Sequence, residues 1–112
     1  MLDSHDLPIP FDVRLEAERD RLLVVPRGEI DLVTAARLEA AVLEQFGSGF
    51  GHVVADLREV TFIDSSGIRT LWQAHQRAQR DGVRLSVIPG DGTVWRAMRM
   101  TGLLDRMHVM ER

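Results

Sequence analysis

The chain contains no cysteine, no lysine, no asparagine and no tyrosine in 112 residues. Without cysteine there is neither a disulfide framework nor a thiolate to perform covalent or redox chemistry. Lysine, asparagine and tyrosine share AT-rich codons, and their joint absence is the composition expected of a GC-rich bacterial genome. No apolar run is long enough to cross a bilayer, so no membrane partner is expected. The positive charge is carried by 14 arginines against 17 aspartates and glutamates, for a net charge of −3. A slight acidic excess without a clustered basic face argues against nucleic acid as a partner. Internal repeats, linkers and low-complexity stretches are also missing. The opening residues, Met1-Leu2-Asp3-Ser4-His5-Asp6, are acidic and lack the apolar centre of a signal peptide, so a cytoplasmic location is expected.

What the chain does have is the length and apolar content for one core. The expectation is a tail over residues 1–8 and a single domain over 9–112. Phe11, Val13 and Leu15 alternate with charged residues, as in a half-exposed strand. Glu18-Arg19-Asp20 turns into a second strand, Leu22 to Val25, where Pro26 should bend the ladder or end its pairing. Leu38, Ala41, Val42 and Phe46 mark an amphipathic helix that Asp31 or Thr34 can cap, closed by Gly47-Ser48-Gly49. His52 to Leu57 reads as a central strand. A loop with a second apolar patch, Val60 to Ile63, leads to Asp64-Ser65-Ser66-Gly67 and a helix carrying Ile68, Leu71, Trp72, His75 and Ala78. Asp81-Gly82 turns into a buried strand, Arg84 to Ile88. Thr93 is placed to cap a third helix with Val94, Ala97 and Met98, which Gly102 stops, and Met107 to Val109 can add a short last strand.

Strands alternating with helices imply crossovers. The expected fold is α/β, with a mixed, mostly parallel sheet of four to five strands packed with helices. In such sheets sites gather at strand C-termini. Asp31 and the Asp64–Gly67 segment both fall there.

Asp64-Ser65-Ser66-Gly67 is the most informative segment. Backbone N–H groups at a helix start lack intrahelical partners and favour negative charge, so a serine hydroxyl there is well placed to carry a phosphate. The plain alternative is an ordinary N-cap. Two hydroxyls and a carboxylate exceed what one cap requires. Gly67 in the first turn lowers helix propensity, which points to close backbone approach or access for a partner. Asp31, Asp56 and Asp64 together read equally as three capping or turn residues and as a Mg²⁺ site.

The pattern resembles a known family. Gly28-Glu29-Ile30-Asp31 followed by Thr34-Ala35, Val54-Ala55-Asp56-Leu57 followed by Val60-Thr61-Phe62-Ile63-Asp64-Ser65-Ser66-Gly67-Ile68, and Thr101-Gly102-Leu103-Leu104-Asp105 are similar to successive motifs of the STAS domain. The resemblance runs from about Phe11 to Val109 and is to the stand-alone anti-anti-sigma factors of bacteria, also called anti-sigma factor antagonists. It implies a partner, an anti-sigma factor of the serine-kinase type with its own ATP site, and a phosphatase that reverses the modification. It implies Ser66 as phosphoacceptor. Asp31, Thr34, Asp64, Ser65, Gly67, Ile68 and Arg69 would surround it or touch the partner, Arg69 as a candidate for selectivity. The chain itself would need no cofactor, because ATP belongs to the kinase, and it would act as a monomer or weak dimer. The second reading is a STAS interaction module, never phosphorylated, in a transport or lipid-trafficking system.

Autonomous catalysis finds little support. His5, His52, His75 and His108 lack metal-ligand spacing. Ser66 has no His–Asp partners in the pattern, and neither a P-loop nor a dinucleotide fingerprint is present.

Overall fold

The computed structural model describes residues 10–111. The expected tail over 1–8 lies outside the described residues. Strand β1 (Asp12–Glu18) turns at Arg19, whose φ is +54°, into β2 (Arg21–Ile30). Helix α1 (Leu32–Gln45), β3 (His52–Asp56), β4 (Val60–Ile63) and α2 (Ser65–Asp81) follow. The chain continues through β5 (Arg84–Ile88), α3 (Thr93–Met100), a 3₁₀ turn (Leu103–Asp105) and β6 (His108–Val109). The sheet runs β1-β2-β3-β5-β6, with β4 also paired to β2. β1 is antiparallel to β2, and every other pairing is parallel. This is the α/β, mostly parallel sheet expected.

The apolar patch Val60–Ile63, expected in a loop, is a strand in its own right. β2 is longer than its neighbour: it pairs β3 only over Arg21–Val24, which leaves its last third open for β4 at Gly28–Ile30. Pro26 falls between the two parallel partners. The strand keeps its antiparallel pairing through Pro26, opposite Val13, so the proline neither ends nor isolates it. Gly28 then takes φ +105° at a register shift, a conformation that needs glycine, and donates its N–H to the Glu59 carbonyl at 3.2 Å.

One core joins Ala35, Leu38 and Val42 of α1, Leu71, Ala74 and Ala78 of α2, and Val94 and Met98 of α3 to Val24, Val53, Ala55, Leu85 and Val87 of the sheet. A smaller cluster of Leu23, Val25, Val54 and Ile88, with Met110 against it, fills the opposite face. Burial on both faces explains why β2 and β3 read as continuous apolar runs rather than alternating ones.

Two expectations about helices need correction. The buried line of α2 is Gly67, Thr70, Leu71, Ala74 and Ala78, about one position round from the stripe of large residues. Ile68 and Trp72 are half-buried at its flank, with Trp72 stacked on His75 at 5.4 Å between ring centres. Small residues on the line let the helix lie close to the sheet, and the bulky ones then pack at the edges. Nor does Thr93 cap α3. It is the first helical residue, and Gly92 at the cap position offers no side chain.

Candidate functional site at two paired helix starts

Strands β2 and β4 end in register, Ile30 opposite Ile63, and each hands over at once to a helix. Asp31 and Asp64 are therefore neighbouring N-caps, and the Asp64 N–H donates to the Ile30 carbonyl at 3.1 Å. In α1 the N–H groups of Val33 and Thr34 donate to Asp31 Oδ1, both at 3.0 Å. In α2 those of Ser66 and Gly67 donate to Asp64 Oδ1 at 2.8 and 3.2 Å. Each carboxylate thus satisfies two N–H groups that the helix cannot. The N–H bonds from Thr34, its hydroxyl and the Val33 N–H together hold the Asp31 carboxyl below its ordinary value.

The two starts differ in what their side chains do next. The Thr34 hydroxyl accepts from the Asp31 N–H at 2.8 Å and donates to the Glu29 carbonyl at 2.7 Å, completing a capping box. At the matching position α2 has Gly67. A Cβ there would lie 2.5 Å from Ile63 Cγ1 and 2.7 Å from Ile30 Cγ2. The glycine is held by this close approach of the helix to the two strand ends. Next to it the half-buried Ser66 hydroxyl makes no hydrogen bond among the described residues, and Ser65 is exposed. Arg69, one turn further on, is exposed and makes no ion pair among the described residues.

The third carboxylate of the possible trio is engaged elsewhere. Asp56 is buried and accepts from Arg58 Nε and Nη2 at 2.9 and 2.6 Å. Among the described residues no group of three His, Cys, Asp or Glu side chains is placed to hold a metal ion. The structure therefore brings together Asp31, Thr34, Asp64, Ser65, Ser66 and Gly67 and leaves Asp56 in a separate contact.

Sequence reasoning missed the apolar rim. Leu32 and Val33 are 76% and 72% exposed, and Phe62, two residues before Asp64, is 45% exposed. A signal was available for the first two. The buried line of α1 is Ala35, Leu38 and Val42, and positions 32 and 33 fall off its helical spacing.

The domain thus presents two serines at the start of α2, between the ends of β2 and β4. The chain belongs to the STAS domain family, whose match covers residues 12–112. It is 26% identical over 84 residues to the anti-sigma-B factor antagonist of Staphylococcus aureus, spanning 75% of this chain and 78% of that one. An anti-sigma factor antagonist from Mycobacterium paratuberculosis has the same fold, with a TM-score of 0.81 at 26% identity over 92% of this chain and 89% of its own. So does the anti-sigma factor antagonist SpoIIAA. Its unphosphorylated form gives a TM-score of 0.72 at 18% identity over 90% and 88% of the two chains. Its phosphorylated form, from Bacillus, gives 0.67 at 17% over 90% and 91%.

Proposed function

We propose that this chain is an anti-sigma factor antagonist that works as a phosphorylation-controlled binding switch in the cytoplasm. Unphosphorylated, it binds an anti-sigma factor of the serine-kinase type and so frees the sigma factor. The kinase then phosphorylates Ser66 and the complex separates, until a phosphatase restores the hydroxyl. The observation that carries this reading is the contrast at the two helix starts. The Thr34 hydroxyl is consumed by its cap, whereas the Ser66 hydroxyl has no partner among the described residues.

In the transfer, Ser66 Oγ forms a bond to the γ-phosphorus of the partner's ATP as the bond to ADP breaks. The Ser66 proton passes to a base on the kinase. Asp64 Oδ1 is committed to the cap, where it accepts two N–H bonds. The chain contributes position: the helix start fixes Ser66, and Leu32, Val33 and Phe62 offer apolar area to the docked partner.

Phosphate adds about −1.5 to −2 charges. A partner covering this surface would strip water from that charge beside the Asp64 carboxylate, and a loss of about 3 kcal/mol already weakens a complex over a hundredfold. The decisive experiment incubates the chain with serine kinases of the same genome and Mg-ATP, then maps the phosphate. One phosphate on Ser66 is expected, and none on Ser66→Ala. Label on Ser65, or full labelling of Ser66→Ala, overturns the assignment. A STAS module outside phosphorylation control would stay unlabelled with every kinase.

A further inference from the structure

On the face of the sheet away from the helices, three adjacent parallel strands carry a line of polar groups. Ser86 of β5 is fully buried, with His52 Nε2 at 2.8 Å on one side and His108 Nδ1 at 2.6 Å on the other. Arg84 Nη2 lies 2.8 Å from His108 Nε2. The register places His52 opposite Arg84 and Ser86 opposite His108, so the line crosses β3, β5 and β6 directly.

Hydrogen-bond valence sets its direction. A guanidinium only donates, so His108 Nε2 must be a bare acceptor. The neutral His108 ring then carries its proton on Nδ1 and donates to Ser86 Oγ. Ser86, having accepted, gives its own proton to His52 Nε2, which is also bare, and the His52 proton is on Nδ1. In this arrangement each of the three links holds one proton. A proton added at His52 Nε2 leaves the Ser86 hydroxyl proton without an acceptor on that side. Ser86 is fully buried, so its hydroxyl proton is then left unmatched in a low-dielectric setting where that is costly.

The piece held by this line is the weakest strand of the sheet. β6 has two residues, paired only as Ser86 with His108 and Val87 with Val109, and the Met110 N–H adds a bond to the Val87 carbonyl at 2.8 Å. Val109 and Met110 also form part of the wall of a cleft of about 690 Å³ beside the start of α3.

We propose that Arg84, His108, Ser86 and His52 form a pH-operated clasp that fastens β6 to the sheet while the His52 imidazole is neutral and lets it go when His52 is protonated. The charges around it favour the neutral form. His52 faces Arg21 of β2, Arg84 of β5 and His108 of β6, with Asp20 of the β1–β2 turn as the opposing charge. Burial first, and then Arg84, Arg21 and His108, hold the His52 pKa below its ordinary value. His108 faces Arg84 and Ser86 of β5 and His52 of β3. For a histidine with a lowered folded pKa, the stabilisation is complete above the unfolded value, about 6.5. It is lost as pH falls from there through the folded value.

The test is nuclear magnetic resonance on the whole chain, which needs no partner. At pH 7.5 both His52 and His108 are expected as the Nδ1–H tautomer. Between pH 7.5 and 5, the protection factors of the Val109 and Met110 amides should fall at least tenfold while that of Val54 in β3 holds. Ser86→Ala should lower the Met110 protection at pH 7.5 and remove its pH dependence. An Nε2–H tautomer at His108, constant Met110 protection through the histidine titration, or parallel loss at Val54 and Met110 would each overturn the clasp. The first two measurements use the natural sequence, so the proposal stays testable even where Ser86→Ala fails to fold.

Discussion

The two helix starts, Asp31 to Thr34 and Asp64 to Gly67, are the same turn put to different uses. Both follow parallel strands that end in register, and both begin with an aspartate whose Oδ1 accepts the second and third N–H groups of its helix. In α1 the third residue is Thr34, whose hydroxyl closes the box. In α2 it is Gly67, whose missing side chain lets the helix press against Ile30 and Ile63. The second residue is an exposed valine in one and a half-buried serine in the other. A single aspartate suffices to start each helix. The other positions of α2 are then released from capping, and the Ser66 hydroxyl makes no hydrogen bond among the described residues.

Replacing one start by the other is the way to break this comparison. The largest effect should come from charge at the open start. Ser66→Asp should weaken binding to the cognate anti-sigma factor by about a hundredfold, close to 3 kcal/mol, measured by titration calorimetry. Affinity within threefold of the unchanged chain would show that the hydroxyl lies outside the interface.

Next in size is Gly67→Thr, which copies the α1 box onto α2. It should destabilise by about 1–3 kcal/mol in urea denaturation, because the Cβ overlaps Ile63 and Ile30 and overpacking outweighs the gain in helix propensity. A more stable variant would remove the close-approach explanation for this glycine. The reverse change, Thr34→Ala, should cost about 1 kcal/mol by opening the box, with little effect on phosphorylation of Ser66.

The smallest effect concerns pH. The Asp31 carboxyl is held below its ordinary value by the Thr34 and Val33 bonds. Its contribution is therefore complete above the unfolded value, about 4, and is lost as pH falls through the lower folded value. Asp31→Asn should flatten the melting temperature between about pH 4 and pH 2 relative to the unchanged chain. An unaltered slope would mean that the cap carries no pH-linked stability.

Much of this site is legible in the sequence because its determinants are local. Asp64, the two serines and Gly67 are four consecutive residues, Asp31 and Thr34 lie within one helical turn, and strands β2 and β3 announce themselves as apolar runs. What could not be read depends on contacts distant along the chain. β4 has four residues and exists because β2 extends past β3, a fact that no window around Val60 contains. The roll of α2 is set by the fit of Gly67 against Ile30, so the stripe of large residues misplaced its buried face by one position. His52, Ser86 and His108 are scattered in sequence and meet only because β3, β5 and β6 are adjacent. Thr93 misled for a local reason: the helix starts on it rather than after it.

The central claim is that Ser66 switches binding by surface charge without refolding the domain. A phosphate at a helix start gains about 0.3–1 kcal/mol from the N–H groups and dipole, and repulsion from Asp64 offsets part of that in high dielectric. The direct test compares the chain phosphorylated on Ser66 with the unmodified chain, by denaturation and by titration against the cognate anti-sigma factor. The account predicts a stability change of no more than about 1 kcal/mol and a loss of affinity of at least a hundredfold. Unchanged affinity, or a loss of binding that tracks the unfolding of the domain, would contradict it.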